Sequence, residues 1–273
     1  MSTLAKSFDL TGRVAVVTGG AGFLGRQFCQ TLTEAGAAVV IADANAVEAN
    51  HLAEKLNASG AKVLVHVTDV GELNSVGSMA QAALDKFGSI DILVNSAALD
   101  PKFDKSGTGK HSSAFEDYPL AAWEAAVRVN LTGAFLCSQA VAKSMLKQAG
   151  GVIVNICSTY GLGGPDQRIY ERKDQPAQYK PVDYTVTKAG ILGLTKYLAT
   201  YYGDKNIRVN ALSPGGVFNQ HDEQFVKAYS SRTVLGRMAR PDEMNGALLF
   251  LASDASSYMT GANLIVDGGW TAW

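Results

Sequence analysis

Seven short runs rich in Val and Ile punctuate the chain, at Val14 to Thr18, Val39 to Ala42, Val63 to Val67, Ile90 to Asn95, Val152 to Ile156, Ile207 to Leu212 and Leu264 to Val266. They are apolar at consecutive rather than alternate positions, which predicts strands buried on both faces, as in a parallel sheet covered by helices on each side. The segments between them carry apolar residues at helical spacing. Residues 23–35 are one such stretch and stop at Gly36, a suitable residue just past a helix end. Similar stretches occupy 46–58, 72–87, 119–149, 183–203 and 241–253. This alternation predicts a doubly wound α/β fold with seven parallel strands, and the absence of a linker or repeat predicts a single domain over residues 1–273.

Two polar stretches bearing Gly and Pro break the rhythm, at about 99–117 and 161–181. Both are long for connections that usually run about 2–6 residues. Each follows a predicted strand, and ligands of such sheets bind beyond the carboxyl ends of the strands. The two inserts are therefore expected beside a binding crevice, with a surface excursion as the alternative.

Composition narrows the function classes. The chain has 273 residues, 47% of them hydrophobic, enough to bury a sizeable core. Lys and Arg number 24 against 25 Asp and Glu, so the Lys/Arg excess that neutralises phosphates is missing and nucleic acid is not an expected partner. No run approaches the ~18 apolar residues of a membrane span, and the opening MSTLAKSFDL has no signal-type apolar stretch; a cytoplasmic location away from membranes is expected. Cys29, Cys137 and Cys157 are odd in number and lie in apolar patterns, as reduced core residues would. The four histidines, His51, His66, His111 and His221, show no ligand spacing, and no metal site is expected.

Glycine is the unusual count, at 28. Thr18-Gly19-Gly20-Ala21-Gly22-Phe23-Leu24-Gly25 follows the first strand and opens a helix, and Gly20, Gly22 and Gly25 satisfy G-x-G-x-x-G. In that setting, missing side chains let the backbone approach a pyrophosphate, while the helix N-terminus offers N–H groups and a positive dipole end. The pattern predicts a Rossmann-type dinucleotide turn, with an ordinary glycine-rich turn between strand and helix as the alternative. Asp43 ends the second strand 18 residues after Gly25, near the offset of about 20 expected for the acid that binds the adenosine ribose. Its carboxylate would repel a 2′-phosphate, and the glycine turn carries no Lys or Arg, so NAD is expected over NADP. Asp43 also suits a helix cap, a role compatible with the first.

Tyr184-Thr185-Val186-Thr187-Lys188 places a phenol and an ammonium four residues apart on one helix face. A nearby cation favours phenolate and would lower the tyrosine pKa toward the range of a general acid/base. Tyr201 and Lys205 repeat the pattern across Gly203, which is expected to end the helix. Ser158 closes the fifth strand, where its hydroxyl can polarise a carbonyl. Asn130 lies within a helical stretch, where asparagine is a poor fit.

These motifs, in this order, resemble the short-chain dehydrogenase/reductase family over nearly the whole chain. The resemblance takes in Asp69-Val70, Asn95-Ser96-Ala97-Ala98, Asn130, Ser158, the Tyr184/Lys188 pair, Pro214-Gly215-Gly216-Val217 and the ending Val266-Asp267-Gly268-Gly269. It implies hydride transfer between a nicotinamide dinucleotide and a carbonyl/alcohol pair. Tyr184 would exchange the proton, Lys188 would hold the nicotinamide ribose and lower the tyrosine pKa, Ser158 would orient the substrate oxygen, and Asn130 would hold a relay water. Gly19, Gly22, Phe23, Leu24, Gly25, Asp43, Asp69, Val70, Asn95, Ala97, Tyr184, Lys188, Pro214, Gly215 and Val217 would contact the cofactor. Family members usually assemble, which implies a homotetramer or homodimer. The sequence departs from the pattern of compact members at Phe23, where glycine is usual, at Ser96 and Ala98, and at Asn219, where a threonine often contacts the cofactor amide.

Ser158 and Tyr184 stand 26 residues apart, about twice the interval usual in the family. The added residues include Gln167, Arg168, Arg172, Lys173, Gln175 and Lys180, and the earlier insert adds Lys102, Lys105, Lys110 and His111. An anionic substrate and solvated loop charge are both open on this pattern, because Asp100, Asp104, Asp166, Glu171 and Asp174 are interspersed. The insert and the DGGWTAW ending resemble oxidoreductases of flagellin modification and surface-glycan biosynthesis, which implies a sugar or sugar-phosphate substrate. Two alternatives are an NADPH-dependent 3-oxoacyl reductase, against which Asp43 and the polar insert count, and a dinucleotide sensor without turnover, which has no need of Ser158, Tyr184 and Lys188 together.

Overall fold

The structure, a computed structural model, describes residues 2–100, 113–172 and 177–273. Seven parallel strands form one sheet: β1 (Val14–Thr18), β2 (Ala38–Asp43), β3 (Val63–Val67), β4 (Ile92–Asn95), β5 (Gly151–Ile156), β6 (Ile207–Pro214) and β7 (Asn263–Val266). Their order is β3-β2-β1-β4-β5-β6-β7, so the sheet reverses direction of growth between β1 and β4. A crevice opens at that point beyond the carboxyl ends of the strands.

The helices are α1 (Thr3–Ser7), α2 (Phe23–Glu34), α3 (Ala46–Ala58), α4 (Leu73–Phe87), α5 (Leu120–Ala126), α6 (Gly133–Gln148), α7 (Val182–Tyr201), α8 (Glu223–Ser230) and α9 (Asn245–Ala252). Strand alternation feeds two cores. Ala15 and Val17 of β1 join Phe28 and Leu32 of α2 and Leu248 and Leu251 of α9, while Val16 joins Met79 of α4, Val141 and Met145 of α6 and Leu198 of α7. This two-sided burial explains the consecutive apolar runs. The edge strands β3 and β7 are the exceptions and stay partly exposed.

The stretch 119–149 is not one continuous helix. A π-helical turn, Val127–Thr132, separates α5 from α6. Residues 241–253 likewise begin as a 3-10 turn, Pro241–Met244, before α9. The insert 161–181 contains a short 3-10 helix, Gln167–Tyr170, capped by the Asp166 side chain. The three cysteines are buried and free. Among the described residues, no helix is long and apolar enough to cross a membrane, and no group of three or more His, Cys, Asp or Glu could hold a metal ion.

Candidate active site

The crevice is a cleft of about 770 Å³ that runs from the β1–α2 turn to α8. At one end lies the glycine turn. Gly19 has φ +61°, and a Cβ there would come within 2.8 Å of the Ala97 Cα; a Cβ on Gly25 would sit 2.0 Å from the Gly19 carbonyl oxygen. The backbone can fold this tightly only without those side chains. Thr18 Oγ1 accepts the N–H groups of Ser96 and Ala97 at 3.1 and 3.2 Å, which ties the turn after β4 against the glycine turn. Gly22, Phe23, Leu24 and Gly25, at the head of α2, line the cleft, as do Asp69, Val70, Ala97, Pro214, Gly215 and Val217. Bare backbone at a helix N-terminus, with an acid at the end of the second strand, fits a dinucleotide.

Asp43 lines the cleft and fastens the turn. Its Oδ2 accepts the Ala21 N–H and its Oδ1 accepts the Asn45 N–H, both at 2.9 Å. Helix α3 is capped by Asn45, whose side chain accepts the Glu48 N–H, so the cap lies two residues beyond the acid.

Asn95 departs from expectation. Its Nδ2 donates to Asn155 Oδ1 at 2.8 Å, to Ser138 Oγ at 3.1 Å and to the Ala134 carbonyl at 3.4 Å. The side chain braces β4 against β5 and α6 beneath the cleft, and the lining residues after β4 are Ser96, Ala97 and Ala98 instead. Strand alternation turns the Asn95 side chain inward, and its neighbours Ser96, Ala97 and Ala98 stand at the cleft wall.

Ser158, Tyr184 and Lys188 meet in the middle of the cleft. Ser158 follows β5 and caps a 3-10 turn, its hydroxyl accepting the Tyr160 N–H at 3.1 Å. Tyr184 and Lys188 share a face of α7. Lys188 donates to the Ile156 carbonyl at 2.8 Å, and its Nζ stands 5.7 Å from the centre of the Tyr184 ring. Burial pulls the Lys188 ammonium down to about 8. For Tyr184, burial acts most strongly and pushes the phenol above its ordinary value; the Asp100 carboxylate adds to this, and a hydrogen bond with Ser158 pulls the other way. The lowering expected from a neighbouring cation therefore does not set the direction in the protein alone; burial and the Asp100 carboxylate do. Tyr201 and Lys205 lie elsewhere: Tyr201 ends α7 with its side chain exposed, and Lys205 pairs with Asp204.

Asn130 occupies the π-helical turn and does not line this cleft directly. Its Oδ1 accepts the Leu99 N–H at 2.7 Å, and its Nδ2 donates to the Leu99 carbonyl at 3.1 Å and to Thr187 Oγ1 at 3.3 Å. Both amide hydrogens are thus used, and one lone pair of Oδ1 is the side chain's remaining hydrogen-bonding capacity.

The substrate end carries residues that the motifs did not single out. Tyr160, Tyr170, Phe225 and Tyr229 form an aromatic wall, with the Tyr170 hydroxyl donating to that of Tyr160 at 2.9 Å. Helix α8 was not predicted, although Asp222 followed by Phe225, Val226 and Tyr229 is a cap and an apolar face at helical spacing; the Asp222 side chain accepts the Phe225 N–H. The insert is docked on α8. Arg172 pairs with Asp222 at 2.7 Å, Gln224 donates to the Glu171 carbonyl at 3.2 Å, and the Tyr170 and Phe225 rings lie 5.5 Å apart. Among the described residues of this insert, the basic side chains are paired: Arg168 with Asp166, Arg172 with Asp222 and Lys180 with Asp100. Lys102, Lys105, Lys110, His111, Lys173 and Gln175 lie outside the described residues.

Comparisons with known proteins agree on the family. A family model described as enoyl-(acyl carrier protein) reductase matches residues 20–271. The chain is 36% identical over 267 residues to the (2S)-[(R)-hydroxy(phenyl)methyl]succinyl-CoA dehydrogenase subunit BbsD of Thauera aromatica, covering 95% of this chain and 97% of that protein. It is also 36% identical to the D-threitol dehydrogenase of Mycolicibacterium smegmatis, covering 97% of this chain and 95% of that one. Among solved structures, a gluconate 5-dehydrogenase from Burkholderia cenocepacia in complex with NADP and tartrate superposes with a TM-score of 0.85 at 32% identity, over 99% of each chain. The chain belongs to the short-chain dehydrogenase/reductase family and is an oxidoreductase that acts on CH–OH groups of small molecules with a nicotinamide cofactor.

Proposed function

We propose that the chain is an NAD-dependent dehydrogenase/reductase that interconverts a secondary alcohol and a ketone on a polar, sugar-like substrate. The observation that carries this reading is the convergence of Ser158, Tyr184 and Lys188 in the cleft that also holds the glycine turn and Asp43. The nicotinamide, when bound, supplies or accepts the hydride. Tyr184 gives its phenolic proton to the substrate oxygen in reduction and takes it back in oxidation. A phenol kept protonated by burial suits the donor role at rest. Ser158 orients the substrate oxygen beside that phenol. Lys188 holds the nicotinamide ribose and, as a buried cation one helical turn away, steadies the phenolate once the proton has gone. Asn130 fixes Leu99 at the rim of the site and keeps one lone pair for the proton relay.

Asp43 supports NAD over NADP, since a 2′-phosphate would meet its carboxylate. Paired charges and tyrosine hydroxyls at the substrate end support a neutral sugar or polyol over a phosphorylated one. A place in glycan biosynthesis rests on the resemblance of the insert and the terminal motif. Assembly into a dimer or tetramer is supported by the exposed, stacked Tyr197 and Tyr201 rings on α7. Tyr184→Phe tests the core of the reading. The variant should lose roughly 10²–10⁴-fold in kcat while still binding NADH in a fluorescence titration, and a variant that keeps its turnover overturns the assignment.

A further inference from the structure

At the substrate end, Lys180 lies over the reacting tyrosine: its Nζ is 4.0 Å from the centre of the Tyr184 ring and pairs with the Asp100 carboxylate. The Lys180 side chain is 11% exposed and that of Asp100 48%, and both residues line the cleft. Each is held from behind by a carboxamide. Asn130 grips both backbone groups of Leu99, the residue before Asp100. Gln167 accepts the Lys180 N–H at 2.8 Å and donates to the Lys180 carbonyl at 3.3 Å. Leu99 and Lys180, from two separate stretches of the chain, are thus held so that an ammonium and a carboxylate meet beside the phenol.

An ion pair with one shielded and one half-exposed partner adds little to stability, because the Lys180 ammonium loses water while its attraction to Asp100 is screened by solvent. Its value lies in recognition. A hydroxyl both donates and accepts, and can join this pair by accepting from Lys180 and donating to Asp100 without leaving either charge unpartnered. A carboxylate in the same place can accept from Lys180 but meets the like charge of Asp100.

We propose that Asp100 and Lys180 form a hydroxyl-reading pair, which selects a neutral substrate bearing a hydroxyl next to the carbinol that reacts at Tyr184 and disfavours one bearing a carboxylate there. This inference rests on the sugar-like substrate class proposed above and specifies it.

The test uses the full chain with NAD and matched four-carbon probes: butane-2,3-diol, 2-hydroxybutanoate and butan-2-ol, with threitol as a four-carbon polyol hydroxylated at every carbon. In the wild type, kcat/KM for the diol should exceed that for the hydroxy acid by about tenfold or more, the scale of a charged hydrogen bond. Lys180→Met and Asp100→Asn should each lower the ratio of diol to butan-2-ol by a similar factor. Asp100→Asn, which leaves Lys180 without its counter-charge, should also raise the ratio of hydroxy acid to diol. NADH titration of both variants establishes that the cofactor end is intact. If the wild type oxidises the diol or threitol and neither variant changes these ratios, the pair does not read the hydroxyl, and the substrate class stands. If the wild type oxidises neither, the substrate class falls and the inference with it.

Discussion

At the scale of single residues, Asp43 does two things that a substitution can separate. Its carboxylate holds the Ala21 N–H of the glycine turn and lines the cleft, where on the proposed function it would meet the adenosine ribose. Asp43→Ala would remove both functions at once, whereas Asp43→Asn keeps an acceptor for the Ala21 N–H and removes the charge. The expected outcome for Asp43→Asn is a fall of roughly tenfold in the preference for NAD over NADP, equal to about 1.4 kcal/mol, within the range for neighbouring charges near a protein surface. Steady-state kcat/KM with each dinucleotide measures it, and an unchanged ratio would move the discriminating contact elsewhere. Residues of this kind were legible in the sequence because their chemistry depends on order along the chain: an acid at a strand end, or a phenol and an ammonium one helical turn apart. The inward direction of the Asn95 side chain was not legible, for the opposite reason. Motif position says nothing about which face of the strand a side chain takes, and the neighbouring polar groups Asn155 and Ser138 draw it inward.

At the scale of elements, the glycine turn is a contact between backbones. Gly25→Ala would drive a methyl group into the Gly19 carbonyl oxygen. The expected result is a destabilisation of roughly 1–3 kcal/mol, read by urea unfolding, together with weaker NADH binding. Gly77, exposed on α4 with open space around it, is the control; Gly77→Ala should leave NADH binding unchanged and stabilise the helix by up to about 1 kcal/mol. Strands and long helices were legible from apolar spacing, and several bounds agree to the residue, as for β1, β3 and α3. The π-helical turn was not legible. It shifts the hydrogen-bond ladder by one residue within an unbroken apolar pattern, and only the misfit of Asn130 inside a helix hinted at it. The insert hid its order for another reason. Its partners, Asp100, Asp222 and Phe225, are remote in sequence, so its charges could not be matched into pairs before the fold was known.

At the scale of the whole molecule, burying Lys188 couples the site to global stability. The folded protein holds this ammonium only below about 8, whereas an unfolded chain keeps it protonated up to about 10.5, the ordinary lysine value. Between those limits the unfolded state binds more protons, so the contribution of Lys188 to stability rises with pH and is lost as pH falls through about 8. The difference in unfolding free energy between the wild type and Lys188→Met isolates this residue from other titrating groups. That difference should shift in favour of the wild type by up to about 1.4 kcal/mol per pH unit between pH 8 and 10, measured by urea unfolding without cofactor, and a flat difference would contradict it.

The docking of the insert on α8 bears on how the substrate end is tied to Lys188. The arm at 161–172 and α8 touch through an ion pair, a backbone hydrogen bond and a ring contact, while the glycine turn and Asp43 lie at the other end of the cleft. The arm therefore answers to two neighbours: Gly161 packs on the Lys188 backbone at one end, and residues 170–172 meet α8 at the other. A change in α8 that removes Asp222 or Phe225 would therefore loosen the arm that reaches back to Lys188, so the shape of the substrate end and the seat of the catalytic lysine are mechanically linked.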